Sequence, residues 1–129
     1  MFEITAVYTV ALAAMHQGLT YYVIMDRART HVSIGHGDDM QLATRIRRHG
    51  NFIEAAPLAL ILLALAEASG TSALWLHLAG TALVLGRVLH VFGLHHDRPA
   101  TFGRIAGTLG TTAAMVICAS ALVQNAILG

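Results

Sequence analysis

The chain contains no lysine, a single cysteine and few charges of either sign. Only 12% of its 129 residues are charged, about half the ~25% typical of soluble domains. This shortage excludes a disordered chain and a nucleic-acid binder built on charge. The lone Cys118 excludes an internal disulfide and a cysteine-rich zinc site. A net charge of +1 gives no reason to expect a strongly acidic partner.

Hydrophobic residues make up 56% of the chain, and the mean hydropathy is +0.64. Three windows lack Asp, Glu, Lys and Arg, over residues 4–25, 69–86 and 105–129. Each approaches or exceeds the ~20 apolar residues that a helix needs to cross a bilayer. No basic segment precedes the first window, so we expect it to be retained rather than cleaved as a signal peptide.

A fourth hydrophobic stretch, AAPLALILLALA over residues 55–66, is too short to cross a bilayer alone. A spanning helix must therefore include the preceding RIRRHGNFIE, and the third span must run past Arg87 to about Leu94. We predict one domain over residues 1–129, an all-α membrane protein with a four-transmembrane-helix bundle. The helices are expected over 3–27, 40–68, 72–95 and 100–127. Asp38 or Asp39 should cap the second helix, and Gly70 should end it.

The arginines are unevenly distributed between the two ends of this bundle. The connection around residues 69–72 and both termini have none, whereas the first and third connections collect most of them. The positive-inside rule then predicts that these two connections face the cytoplasm. The arginines concerned are Arg27, Arg29, Arg45, Arg47, Arg48, Arg98 and Arg104.

The second helix carries a polar stripe, since Arg47, Asn51 and Glu54 are spaced by four and three residues and share one face. Charged groups within a membrane usually face a bundle interior or a cavity. Arginines bind carboxylates, and a glutamate binds an ammonium group. The side chain of an asparagine can both donate and accept a hydrogen bond. The stripe therefore suits a zwitterion with more than one carboxylate. An internal salt-bridge network that only holds the bundle together is the open alternative.

Other charged residues extend or flank this stripe. Arg87 and His90 share a face of the third helix, and Arg104 begins the fourth helix at the same membrane side. Arg45 and Arg48 lie off the stripe, and we expect them to face lipid headgroups or to serve as positive-inside residues.

The eight histidines raise a metal or haem alternative. No HExxH-like or carboxylate-rich pattern accompanies them, so we expect no metal, although a haem pair from His77 and His95 stays open. The fourth helix repeats small residues, which predicts close helix packing or oligomerisation. These residues are Gly103, Gly107, Gly110, Ala114, Cys118 and Ala121.

The run RIRRHGNFIEAAPLALILLALAE, followed about one helix later by GRVLHVFG, resembles the MAPEG family, the membrane-associated proteins in eicosanoid and glutathione metabolism. The R-x-x-x-N-x-x-E and G-R-x-x-H motifs carry the resemblance, which extends over essentially the whole chain. The sequence most resembles the small bacterial members of the family, which implies a bacterial inner-membrane protein.

The resemblance implies a homotrimer that binds glutathione between neighbouring subunits near the cytoplasmic side. Matched by motif, the expected glutathione contacts are Arg27, Arg47, Asn51, Glu54, Arg87 and His90. Arg104 matches the arginine thought to activate the thiol. The implied activity is that of a glutathione transferase or peroxidase in detoxification, acting on a lipophilic electrophile dissolved in the bilayer.

The chain departs from the characterised enzymes of the family at three positions. Leu94 and Thr108 stand where tyrosines are often found, and Gly50 stands where some eicosanoid enzymes have an arginine. These differences argue against prostaglandin or leukotriene synthesis. A non-catalytic glutathione-binding or structural membrane protein is the alternative. A small transporter or channel subunit, with the charged stripe as its permeation site, is the third hypothesis.

Overall fold

The computed structural model describes residues 1–128, so Gly129, the last residue of the predicted domain, lies outside the described residues. It contains four helices in the described chain: α1 (Glu3–Thr30), α2 (Met40–Ala68), α3 (Ala73–Gly93) and α4 (Phe102–Leu128). The four predicted helices are confirmed, with boundaries shifted by no more than one turn.

Local chemistry explains the helix ends that the sequence predicts. Asp39 caps α2, since its carboxylate accepts a hydrogen bond from the Leu42 amide at 2.9 Å. At the other end of α2, Gly70 adopts a φ of +85°, a conformation that favours glycine. The amides of Gly70 and Thr71 then bond back to the carbonyls of Glu67 and Ala66, which closes the helix in a Schellman motif.

The other helix ends differ slightly from the prediction. α1 continues about one turn further, to Thr30, and His31 caps it with a φ of +56°. α3 ends before Leu94, which is extended. α4 begins later because Thr101 caps it, accepting from the Arg104 amide at 3.2 Å.

Within residues 1–128, three helices are long and apolar enough to cross a membrane: Met40–Ala68, Ala73–Gly93 and Phe102–Ile127. α1 has 28 residues, enough for about 42 Å of helix. α1 is long enough but less apolar than these three helices, because polar residues such as His16 and Gln17 interrupt its apolar run. The chain is thus an all-helical membrane bundle in which α1 is the most polar of the four helices over its length.

Glycines allow α3 and α4 to pack backbone against backbone. A Cβ on Gly107 would lie 2.5 Å from the Gly86 carbonyl oxygen and 2.5 Å from the His90 amide. A Cβ on Gly103 would lie 2.9 Å from the Leu89 carbonyl oxygen. The small-residue face predicted on α4 therefore serves packing within the chain. Cys118, also on α4, is buried and free, as expected for a packing residue.

A salt-bridge chain joins the end of α1 to the start of α2. Asp26, whose side chain is only 5% exposed, pairs with Arg45 at 2.9 Å and with Arg29 at 3.3 Å. Arg29 continues to Asp39 at 2.8 Å. Arg45 therefore contacts a buried carboxylate rather than lipid headgroups, which leaves the alternative prediction, a positive-inside residue.

Arg48 makes a further contact across helices that the sequence did not predict. Its Nε and Nη2 donate to the Leu94 carbonyl oxygen at 3.1 and 2.8 Å. That carbonyl lacks a helical partner because α3 has just ended. Arg48 thus closes α3 from the neighbouring helix.

Candidate functional site

A cleft of about 280 Å³ opens where α2 begins, α3 ends and α4 begins. Three of the residues predicted for the site, Arg47, Asn51 and Arg104, line it together. Its volume lies just below the ~300–1,000 Å³ usual for small-molecule sites. The other lining residues are Met40, Ala43, Thr44, Leu94, His95 and His96.

Arg87 lies beneath the cleft and holds one of its lining residues. It is 3% exposed, and its Nη1 donates to the Asn51 side-chain oxygen at 3.0 Å. Its Nε donates to the Thr111 hydroxyl at 2.9 Å. Because a guanidinium only donates, it fixes the oxygen of Asn51 inward and leaves the amide nitrogen available to the cleft. Arg87 therefore ties α2, α3 and α4 together and orients Asn51.

His90 belongs to the same buried layer as Arg87. It is 4% exposed and packs against Gly107 of α4. Arg47 and Arg104 line the same cleft, and Arg87 contacts Asn51 of that cleft, so the positive groups predicted for the site lie close together. His90 itself does not line the cleft within the single chain.

Arg47 and Glu54 form an ion pair with 3.1 Å between Nη1 and Oε1. Their side chains are 60% and 56% exposed. Glu54 lies 14 residues from each end of α2, which places it about 21 Å from either end. Such a depth is costly for an exposed charge in lipid. This face of α2 therefore requires water, a ligand or another protein surface against it.

Arg104 reaches the cleft from the first turn of α4. Its Nη1 donates to the Pro99 carbonyl oxygen at 2.7 Å, which fixes one edge of the guanidinium on the α3–α4 loop. The residue is otherwise exposed, so its remaining donors are accessible to a bound anion or thiolate.

Arg27, another of the six predicted glutathione contacts, does not line the cleft. Its Nη1 donates to the carbonyl oxygens of Val32, Ser33 and Gly35 at 3.0, 3.0 and 3.1 Å. These contacts organise the loop between α1 and α2. This role could not be predicted from the sequence, because the acceptors are backbone atoms.

Two exposed histidines were not predicted for this site. His95 and His96 line the cleft because the chain after α3 turns back over α2. The His96 ring lies 3.4 Å from the Thr44 hydroxyl. Within residues 1–128, no three His, Cys, Asp or Glu residues are grouped to hold a metal ion. The His77 ring lies at the other end of α3, hydrogen-bonded to Tyr8 at 2.9 Å.

The two positions where family enzymes often have tyrosine offer no free hydroxyl here. Leu94 is 7% exposed, and Arg48 occupies its carbonyl. The Thr108 hydroxyl donates to the Arg104 carbonyl oxygen at 3.0 Å. Neither side chain can therefore supply the phenol of a tyrosine to the cleft.

Comparison with known proteins agrees with this architecture. The family model for the MAPEG family matches residues 5–124. The inner membrane protein YecN of Escherichia coli strain K12 is 32% identical over 93 residues, which cover 72% of this chain and 71% of YecN. YecN of Escherichia coli strain O6:H1 gives the same identity and coverage. No solved structure gives a significant match. The chain therefore belongs to the MAPEG family.

Proposed function

We propose that this protein binds glutathione in the cleft between α2, α3 and α4 and transfers it to lipophilic electrophiles. The observation that carries the proposal is the convergence of Arg47, Asn51 and Arg104 on one cleft, with Arg87 orienting Asn51 from below. Arg47 suits one of the two carboxylates of glutathione, Glu54 suits its ammonium group, and Arg104 is left for the thiol. Glutathione transferase activity is typical of the family.

Arg104 is the residue proposed to activate the thiol. A thiol with a pKa of about 8.5 is mostly protonated at neutral pH. Lowering the thiol pKa by about two pH units requires that the thiolate be stabilised relative to the thiol by about 2.7 kcal/mol. One arginine beside the sulfur in a cleft of low dielectric constant can supply this free energy. The thiol proton passes to water, and the sulfur forms a bond to the electrophilic carbon. The leaving group departs with the bonding electron pair.

The proposal includes a homotrimer with the arginine-rich connections in the cytoplasm. The exposed Arg47–Glu54 pair at mid-helix supports a neighbouring subunit, because the pair lacks a protein cover within the single chain. Arg27 would contact glutathione only across such an interface. Glutathione would then enter from the cytoplasm, and the electrophile from the bilayer.

Non-catalytic glutathione binding is the second candidate. The absence of a tyrosine hydroxyl at Leu94 and Thr108 favours it. In this case the cleft would bind glutathione without lowering the pKa of its thiol.

The decisive experiment is calorimetric titration of the detergent-purified protein with glutathione and with S-methylglutathione, combined with conjugation of chlorodinitrobenzene. Arg47→Ala and Glu54→Gln should abolish binding of both peptides. Arg98→Ala, at an exposed arginine outside the cleft, should bind normally. Arg104→Ala should retain S-methylglutathione binding but lose turnover. Full activity in Arg104→Ala would contradict the thiol role, and normal binding without turnover in the wild type would favour the second candidate.

A charge reversal separates binding from a purely structural ion pair. The double variant Arg47→Glu with Glu54→Arg can restore the pair and its stability. If the stripe binds glutathione, this double variant should remain folded and still fail to bind. Glutathione binding by this double variant would mean that Arg47 and Glu54 contribute only their ion pair and do not contact glutathione.

A further inference from the structure

A second recess lies between α1 and α3, on a different face from the cleft described above. It is a groove of about 480 Å³ that no part of the proposed glutathione chemistry uses. Met15 and Leu19 line it from α1, and Val84 and Val88 line it from α3. Arg45 and Arg48 of α2 close one end together with Tyr22. The groove is thus apolar along its length and cationic at one end.

The dimensions of the groove suit a single hydrocarbon chain. Its α1 wall runs from Ala11 to Tyr22, a distance of about 16 Å along the helix. Gly18 keeps the wall open, because no atom lies within 4 Å of the position a Cβ would take there. A larger side chain at Gly18 would therefore project into unoccupied space.

The charge at the closed end is not balanced within the described chain. Arg45 is paired with Asp26 at 2.9 Å and lies over the Tyr22 ring, 5.3 Å from its centroid. Arg48 donates only to the neutral Leu94 carbonyl, and no carboxylate of residues 1–128 forms an ion pair with it. One positive charge therefore remains beside the groove. Basic pockets between membrane helices attract the headgroups of anionic lipids.

We propose that this groove is a binding site for an anionic phospholipid of the surrounding bilayer. The phosphate lies beside Arg48, and one acyl chain lies along Met15, Leu19, Val84 and Val88. A phosphodiester supplies the single negative charge that Arg48 lacks, and the acyl chain covers apolar side chains that the bundle buries only in part. The proposal is independent of glutathione binding, because the two recesses share no lining residue.

Native mass spectrometry of the delipidated, detergent-purified protein tests this site. The probes are phosphatidylglycerol and phosphatidylcholine with identical acyl chains. The wild type should retain phosphatidylglycerol in preference to phosphatidylcholine. Gly18→Leu should lose most of that retention because its side chain fills the groove, whereas Gly18→Ala should keep it. Gly18→Ala is the matched control, since both variants remove the same helix glycine.

A charge variant tests the headgroup end separately. Arg48→Gln preserves an amide donor for the Leu94 carbonyl but removes the charge, and phosphatidylglycerol retention should fall about fivefold. Arg98→Gln, which removes an exposed arginine of the α3–α4 loop, should leave retention unchanged. If Gly18→Leu does not fold, the comparison of Arg48→Gln with Arg98→Gln still tests whether the groove binds an anionic lipid. Equal retention of both lipids by the wild type, or undiminished retention in Gly18→Leu or Arg48→Gln, overturns the proposal.

Discussion

Arg87 donates to the side-chain oxygen of Asn51 across 3.0 Å, so a buried cation of α3 sets which end of the Asn51 amide is available to the cleft on α2. The same guanidinium reaches Thr111 on α4. Arg87 does not line the cleft, but through these two contacts it couples the geometry of the cleft to the packing of α2, α3 and α4.

Substitutions at Asn51 should separate this linkage from ligand binding. Asn51→Asp keeps an oxygen for Arg87 but removes the amide donor, so we expect stability to be preserved while glutathione affinity falls. Asn51→Ala leaves a buried donor of Arg87 unsatisfied, which should cost about 1–3 kcal/mol of unfolding free energy. Thermal unfolding in detergent and calorimetric titration measure the two effects. Equal loss of stability in both variants would contradict the proposed role of Arg87.

Gly107→Ala should be strongly destabilising, because its Cβ would lie 2.5 Å from the Gly86 carbonyl oxygen. Neither backbone can move without separating α3 from α4, and we expect a loss of about 1–3 kcal/mol. Gly18→Ala is the matched control, since its Cβ meets nothing within 4 Å. It should stabilise the protein by about 0.5–1 kcal/mol through helix propensity. Similar unfolding temperatures for the two variants would rule out the close packing of α3 and α4.

Glu67→Gln should loosen the N-terminus of α1. The Glu67 carboxylate accepts from the amides of Ile4 and Thr5 at 3.0 and 2.8 Å, and from the Thr5 hydroxyl at 2.6 Å. A carboxamide has one accepting oxygen instead of two, so about 1–2 kcal/mol should be lost, as for other helix caps. Hydrogen exchange of the first turn of α1 reports the effect directly. Glu3→Gln, at a side chain that is 92% exposed, should exchange like the wild type.

The α1–α2 connection should weaken in acid. The Leu42 amide and the Arg29 guanidinium lower the pKa of Asp39 below its ordinary value. A carboxyl group whose pKa is lower when folded stabilises the protein above its unfolded pKa of about 3.9, and this contribution disappears as the pH falls through the folded pKa. Asn is an equally good cap but does not titrate there. Unfolding temperatures measured against pH should therefore fall less steeply below about pH 4 in Asp39→Asn. Parallel curves for the two proteins would exclude this role for Asp39.

The sequence by itself determined the features that depend on neighbouring residues. The position of α2, a cap at Asp38 or Asp39 and a terminus at Gly70 follow from local hydrogen bonding and backbone conformation. The stripe of Arg47, Asn51 and Glu54 follows from helical spacing, and the small residues of α4 follow from the close approach of helices in lipid. These patterns act over one or two turns, so they can be read from the printed order of residues.

Only the tertiary structure decided which groups meet across helices. The sequence does not show that Arg45 pairs with the buried carboxylate of Asp26 or that Arg48 donates to the carbonyl of Leu94, just after the end of α3. Arg27 matches a family contact but binds loop carbonyls, and His95 joins the cleft because the chain folds back after α3. The reason is physical: a long arginine side chain can reach any of several acceptors, and the relative positions of the helices determine which acceptor lies within hydrogen-bonding distance.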